Sequence, residues 1–173
     1  MSKITVNVIC VCVIVLLTAS QCQTLNKNED VQVKQEIIYL ADLTPTLVTN
    51  FYGEVRNRKD SKNKPIAVQG IIYKNGIMMH APAKGVGEVV YNLDGIYNSF
   101  NTSLVLAREN GSVIFRIYGD GEELYASPVI TYETEPIELS LKVLGINELK
   151  IELDNENANT CDLAILGDPH LIK

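Results

Sequence analysis

Residues 138–143, Glu138-Leu139-Ser140-Leu141-Lys142-Val143, alternate between polar and apolar side chains. Because successive side chains of a strand point to opposite faces, this run predicts a β-strand with one buried and one solvated face. The run Leu149-Lys150-Ile151-Glu152-Leu153-Asp154 repeats the pattern, and Gly145-Ile146-Asn147 between the two has the composition of a hairpin turn. We therefore expect the two runs to pair with each other.

The rest of the chain beyond residue 30 consists of short β-branched runs separated by Gly, Asn, Asp and Pro, with no long stretch of helical period. Asp94-Gly95 and Asp120-Gly121 tolerate positive φ and predict short turns rather than crossover helices. The sequence therefore predicts an all-β fold, a β-sandwich of the jelly-roll type. The other predicted strands are residues 31–39, 66–73, 88–93, 97–106, 112–118 and 124–130.

Size and composition limit the classes of protein to consider. A chain of 173 residues fits a single domain, and 46% hydrophobic with 21% charged residues argues against a disordered or collagen-like chain. A net charge of −6 gives no general attraction to phosphate backbones or to an anionic membrane surface. We expect one folded domain that binds no nucleic acid.

The first 20 residues have the pattern of a secretory signal peptide. Lys3 is followed by the apolar stretch 11–17 and by the small residues Thr18-Ala19-Ser20. A membrane anchor is the alternative, but the apolar run is shorter than the roughly 20 residues that span a bilayer. The predicted organisation is a signal peptide (1–20), a polar segment (21–30) and the β-sandwich (31–173), in a secreted protein without membrane insertion.

Two of the four cysteines, Cys10 and Cys12, would leave with the signal peptide. Cys22 and Cys161 remain, and an oxidising compartment would permit a disulfide between them. Cleavage after Cys22 would instead leave Cys161 as a single thiol or as a partner for another chain. No CxxC spacing suggests zinc.

No catalytic motif is present: GxSxG, HExxH, the P-loop and the dinucleotide fingerprint are all missing from the sequence. Nothing in the sequence points to activation of Cys161 by His80 or His170, the two histidines. The carboxylates fall in predicted turns or on polar strand faces, where a solvated side chain is the default. We therefore expect no enzymatic activity; a small hydrolase would need two inward-facing carboxylates in one cleft.

Residues 44–65 are too polar and too long for a tight turn and predict a loop of the kind that often carries recognition. The loop holds a cluster of basic side chains with Asp60 among them. A solvated loop is the favoured interpretation, and binding of an acidic polysaccharide is the alternative. The cluster consists of Arg56, Arg58, Lys59, Lys62 and Lys64.

Two sequons, Asn101-Thr102-Ser103 and Asn110-Gly111-Ser112, are acceptors for N-glycosylation in a eukaryotic host. Asn110 lies in a predicted turn and is the better candidate, because Asn101 follows Phe100 within a predicted strand.

Six stretches of the chain together resemble a known family, the "novel putative carbohydrate-binding module" (NPCBM) family, over nearly the whole mature chain. Three match its Leu-x-Asp-Leu opening, its Gly-x-x-Tyr-x-x-Gly-x-x-x-His-Ala stretch and its Tyr-x-Leu-x-Gly run, and three fit its later part and closing segment. The stretches are residues 39–46, 66–81, 91–97, 111–121, 124–127 and 162–169.

The resemblance implies a galactose-binding-like jelly roll that binds glycans, with galactose-like sugars favoured, at loops on one end of the sandwich. It implies a non-catalytic, lectin-like module, often with a structural calcium ion. The site residues it suggests are His80 as a donor or acceptor for sugar hydroxyls, Tyr52 as a stacking platform and Arg56 as an added donor. The alternative for His80 is a hydrogen bond within the fold.

The chain departs from the family pattern by having no tryptophan; Tyr52 and Leu166 stand at about the two usual positions. Residues 105–107 stand where the family tends to carry a Gly-x-Asp turn, so calcium is not assumed. Asp162 and Asp168 are expected to fix the closing segment or to help hold an ion, and Asp120 to shape its hairpin. The rival to sugar binding is a protein-interaction module that docks a partner through an apolar face or the basic loop.

Overall fold

A computed structural model describes residues 35–49, 51–52, 55–155 and 162–173. The predicted signal peptide, the polar segment 21–30, Cys22 and Cys161 lie outside the described residues and stay predictions. The described chain forms fourteen strands and one short 3-10 helix. They are β1 (Ile37–Tyr39), the 3-10 helix (Leu40–Asp42), β2 (Leu47–Thr49), β3 (Arg56–Asn57), β4 (Ile66–Val68), β5 (Ile71–Tyr73), β6 (Ile77–His80), β7 (Val86–Asn92), β8 (Ser99–Leu106), β9 (Ser112–Gly119), β10 (Glu122–Ala126), β11 (Ile130–Thr131), β12 (Ile137–Lys142), β13 (Glu148–Asn155) and β14 (Leu163–Ile172).

The strands form two antiparallel sheets and one separate hairpin. The first sheet has the order β12-β8-β14-β6-β3, with β1 paired to β14. The second sheet has the order β10-β9-β13-β7-β2, with β11 paired to β9, and β4 and β5 form the hairpin. The predicted all-β sandwich is confirmed.

Alternating side chains from both sheets fill the core between them. Phe100 on β8, Phe115 on β9 and Tyr91 on β7 are the largest fully buried side chains. A second, smaller apolar cluster lies on the outer face of the first sheet, because the β4–β5 hairpin covers that face. The cluster joins Ile66, Val68 and Tyr73 of the hairpin to Met78, Val105 and Ile165 of the sheet.

The predicted pairing of residues 138–143 with residues 149–154 is wrong. β12 pairs with β8 in the first sheet, and β13 lies between β7 and β9 in the second. Alternation fixes which face of a strand is buried but does not fix its partner, and the two strands bury their apolar faces from opposite sides of the core.

The turn at Gly145 connects the first sheet to the second, and it contacts the turn that joins β7 to β8. The Gly95 N–H donates to the Ile146 carbonyl at 3.1 Å. The Gly145 N–H donates to the Gly95 carbonyl at 3.2 Å.

Two further predicted strands are each divided. Residues 66–73 form the β4–β5 hairpin, because Gln69 and Gly70 adopt positive φ angles of 49° and 84° in a two-residue turn. Residues 124–130 divide between β10 and β11 at Pro128, which has no N–H to donate to a ladder. There the Ser127 hydroxyl accepts the Phe115 N–H at 3.0 Å in place of a strand partner.

The predicted loop of residues 44–65 contains two short strands, β2 and β3, which form edges of the second and the first sheet respectively.

β14 lies inside the first sheet although no strand was predicted there. Its Gly-Asp-Pro sequence at 167–169 has the composition of a turn, and the structure accommodates it as an irregularity in register between Gly167 and His170. None of the helical structure in the described ranges is long and apolar enough to cross a membrane.

Candidate functional site

Tyr52 and His80 lie side by side at one end of the sandwich. Their ring centroids are 5.0 Å apart and the rings are tilted by 47°. The Tyr52 N–H donates to the His80 carbonyl at 3.0 Å. Tyr52 is 71% exposed, whereas His80 is half-buried, so the pair presents an accessible phenol ring beside a partly shielded imidazole.

The ring of Phe51 anchors the segment that carries Tyr52. Phe51 packs against the core, and its ring lies over Gly87 of β7, where an added Cβ would be 2.4 Å from the nearest ring carbon. Phe51 therefore points inward and Tyr52, the next residue, points outward. The contact between Phe51 and Gly87 was not predicted from the sequence. The available signal was a glycine inside a β-rich run, because such a glycine often marks the close approach of another group.

The end of β6 is fixed from the opposite side by Asp162. The Ala81 N–H donates to the Asp162 carbonyl at 3.0 Å, and one carboxylate oxygen of Asp162, Oδ1, accepts the Ser112 N–H at 2.9 Å. His80 Nδ1 lies 3.1 Å from the Ala81 carbonyl, so the predicted alternative of a hydrogen bond within the fold holds for that nitrogen. A neutral imidazole that donates from Nδ1 offers Nε2 as an acceptor.

Arg56 belongs to the same region of the first sheet. It lies on β3 opposite Met78 of β6, two residues before His80 along the strand, so its side chain shares a face with His80. Arg56 also lines a groove of about 470 Å³ with Asn57, Lys59 and Asp60. The structure thus brings the three predicted site residues to one edge of the first sheet.

Much of the basic cluster is held by local contacts. Arg58 donates to Asp42 (2.6 Å) and to Asn75 (3.2 Å). The carboxylate of Asp60 accepts the backbone N–H groups of Lys62 and Lys64, and the hydrogen bond from Lys64 is the largest cause of its lowered pKa. These contacts order the loop, and the interpretation of the basic cluster as a solvated loop stays a prediction.

The three aspartates selected from the sequence all accept backbone N–H groups. Asp120 accepts those of Asn147 (3.0 Å) and Glu148 (2.8 Å), so its carboxylate fixes the neighbouring turn, and a role in its own hairpin stays a prediction. Asp168 accepts the Asn75 N–H at 2.6 Å, and Asp162 holds the start of β14. The second carboxylate oxygen of Asp162 is buried without a hydrogen-bond partner. No three His, Cys, Asp or Glu side chains in the described part of the chain group as ligands for a metal ion.

The sequons lie as the sequence predicted. Asn110 is exposed in a turn with φ of 63°, and Asn101 lies within β8.

A comparison with protein families matches the NPCBM/NEW2 domain over residues 36–172. A comparison with curated proteins gives no significant match.

Solved structures with the same fold include CBM51 from Clostridium perfringens GH95 in complex with methyl-galactose, with a TM-score of 0.70 and 25% identity over 79% of this chain and 99% of that one. CBM51-2 in complex with GlcNAc, with the INT domains of Clostridium perfringens ZmpB, has a TM-score of 0.71 and 26% identity over 80% of this chain and 32% of that one. The tandem CBM51 modules of Sp3GH98 from Streptococcus pneumoniae, at 17% identity over 79% of this chain and 46% of that one, match in fold with a TM-score of 0.66.

Proposed function

The chain belongs to the NPCBM/NEW2 domain family, and from this membership we propose that it is a secreted, non-catalytic module that binds glycans at the Tyr52–His80 edge. The observation that carries the proposal is the exposed phenol ring of Tyr52 held 5.0 Å from the imidazole of His80. Sugar recognition needs a flat apolar surface under the ring and a few fixed polar groups for the hydroxyls. Tyr52 supplies the first, and His80 with Arg56 supplies the second.

Galactose-like sugars are the favoured ligands. The complexes of related modules with methyl-galactose and with GlcNAc support a hexose of this class. With a tyrosine in place of tryptophan, the stacking surface is smaller, so we expect weak binding at a single site and a gain from multivalent presentation. The pattern of the first 20 residues supports secretion, and the lack of a catalytic motif in the sequence supports a binding role.

A protein-interaction module on the same fold is the second candidate function. Ile96 and Leu144 lie on the two inter-sheet turns that contact each other, and they are 50% and 57% exposed. Two large exposed apolar side chains on neighbouring turns favour contact with another protein more than contact with a sugar.

A glycan array tests the proposal. The secreted protein is applied in calcium and again in chelator, beside His80→Ala, Tyr52→Ala and, as a control at the other candidate surface, Leu144→Ala. We expect binding to a coherent galactose-like set that both site variants lose and the control retains. A blank array with a folded protein would overturn sugar binding, and loss of a captured protein partner by Leu144→Ala would then support the second candidate.

A further inference from the structure

A row of four side chains crosses the outer face of the first sheet, away from Tyr52 and His80. In register, Ser140 of β12 lies opposite Asn101 of β8, Asn101 opposite His170 of β14, and His170 opposite Tyr39 of β1. Since neighbouring strands lie about 4.8 Å apart, the row extends over about 14 Å. A hydroxyl, an amide, an imidazole and a phenol ring therefore follow each other in a line across the sheet.

A second row beside the first deepens this face into a cleft. Glu138 of β12 lies opposite Ser103 of β8, and the Ser103 hydroxyl donates to Glu138 Oε1 at 2.7 Å. Ser103 lies opposite Gly167 of β14, where an added Cβ would be 2.4 Å from the ring of Tyr73. The missing side chain at Gly167 lets Tyr73 lie against the sheet. The cleft has a volume of about 360 Å³, and its lining includes Asn101, Ser103, Glu138, Ser140, Asp168 and His170.

The lining is preorganised by contacts within the sheet. Asn101 Nδ2 donates to the Ser99 hydroxyl (3.1 Å), and His170 Nδ1 lies 2.9 Å from the Asp168 carbonyl. The His170 ring meets the Tyr39 ring edge-on, with centroids 5.8 Å apart. Side chains already fixed in one rotamer lose less entropy when a ligand binds.

The chemistry of the lining selects the class of ligand. Amide, hydroxyl and imidazole groups both donate and accept hydrogen bonds, and carboxylates accept them, which suits the hydroxyl groups of a sugar. The described lining also contains the partly buried Leu139, but none of the large exposed hydrophobic side chains of the described surface. A linear row across four strands matches an extended chain better than one compact ring.

We propose that this cleft is a second carbohydrate site, which binds a neutral oligosaccharide chain along the row from Ser140 to Tyr39. The proposal takes its ligand class from the proposed function and rests on it. The two sites are separate, because the β4–β5 hairpin packs on Met78, Val105 and Ile165, which lie between them along the strands. The cleft also requires an unmodified Asn101, so Asn110 is the sequon left for a glycan.

Two-dimensional NMR of the ¹⁵N-labelled protein, secreted from a host that attaches no N-glycans, tests the proposal. The probes are methyl-galactoside and galactotetraose, titrated separately. We expect galactotetraose to shift the amide signals of Asn101, Ser140 and His170, in addition to those of Tyr52 and His80. Methyl-galactoside should shift mainly the latter pair, since a single ring reaches few groups of the row.

Variants assign the signals to their sites. His170→Ala should lower the galactotetraose affinity measured at the cleft amides about tenfold and leave the response at Tyr52 unchanged. His80→Ala should do the reverse. Lys142→Ala, on the same face of β12 but outside the cleft lining, should change neither response.

The outcomes separate the two proposals. Shifts confined to Tyr52 and His80 would overturn the second site and leave the proposed function standing. Shifts at neither region with either probe would overturn both. Attachment of a glycan to Asn101 in protein from a eukaryotic host, shown by the mass of its peptide, would also overturn the second site.

Discussion

At the scale of single residues, two glycines determine where aromatic rings lie. Gly87 lies under Phe51, and Gly167 lies under Tyr73; at both, an added Cβ would approach a ring carbon to 2.4 Å. Phe51 points inward and its neighbour Tyr52 points outward, whereas Tyr73 lies against Gly167, which lines the cleft on the first sheet. Each glycine therefore makes room for an aromatic ring beside a candidate site.

Gly87→Ala should destabilise the protein by about 1–3 kcal/mol, because the Phe51 ring must move from a packed position. The same shift should weaken glycan binding at Tyr52. Phe51→Ala combined with Gly87→Ala removes the clash, so the double variant should lose less stability than the sum of the two single losses. Urea unfolding of all four proteins measures the coupling, and additive losses would show that the ring does not mediate the effect.

At the scale of elements, alternation in the sequence identified β12 and β13 but not their partners. β12 and β13 have the predicted buried faces, yet they lie in opposite sheets, because alternation specifies a face and not a neighbour. β14 escaped prediction because Gly167-Asp168-Pro169 has the composition of a turn. Tyr52, His80 and Arg56 could be selected through the family resemblance. The row from Ser140 to Tyr39 could not, since it exists only once four strands are in register.

The turn of the β4–β5 hairpin offers a test of an element on its own. An added Cβ at Gly70 has no atom within 4 Å, so Gly70→Ala acts only through its φ of 84°. We expect a loss of about 1–2 kcal/mol from the left-handed conformation. Thermal unfolding measures this loss. Because the hairpin covers Met78 and lies between the two candidate sites, the NMR titrations are repeated on the same variant. Unchanged stability would mean that the hairpin rearranges at little cost.

At the scale of the whole molecule, the outer face of the second sheet carries a network of charges. Lys150 of β13 lies 2.6 Å from Glu152 and 3.7 Å from Glu88, and its ammonium group lies over the Tyr118 ring. The hydrogen bond with Glu152 is the largest cause of the raised pKa of Lys150. This face differs from the first sheet's cleft, since its charges are paired with each other.

Alkaline pH should destabilise the fold. Burial raises the pKa of Tyr91 from 10.0 to about 12, and the pKa values of Tyr73, Tyr118 and Lys150 are raised as well. Because the folded state holds these protons more tightly, their stabilising contribution is complete below pH 10 and is lost as pH rises through the folded pKa values. For Tyr91 the loss should approach about 3 kcal/mol, from a shift of about two pKa units.

Tyr91→Phe should flatten the fall in the free energy of unfolding between pH 10 and pH 12. Tyr52→Phe is the matched control, because that ring is 71% exposed and its variant should follow the wild-type curve. Denaturant unfolding at a series of pH values measures both. Parallel curves for wild type and Tyr91→Phe would contradict the role of the buried phenol.

The pairing of β1 with β14 has a mechanical consequence. Ile37 lies opposite Ile172, and the Lys173 N–H donates to the Glu36 carbonyl at 3.1 Å, so the two strands enter and leave the domain at one place. A force that pulls residues 36 and 173 apart acts across this ladder and loads its hydrogen bonds one after another. The strands would then unzip at low force, and a glycan held on the row that crosses them would lose its Tyr39 contact first.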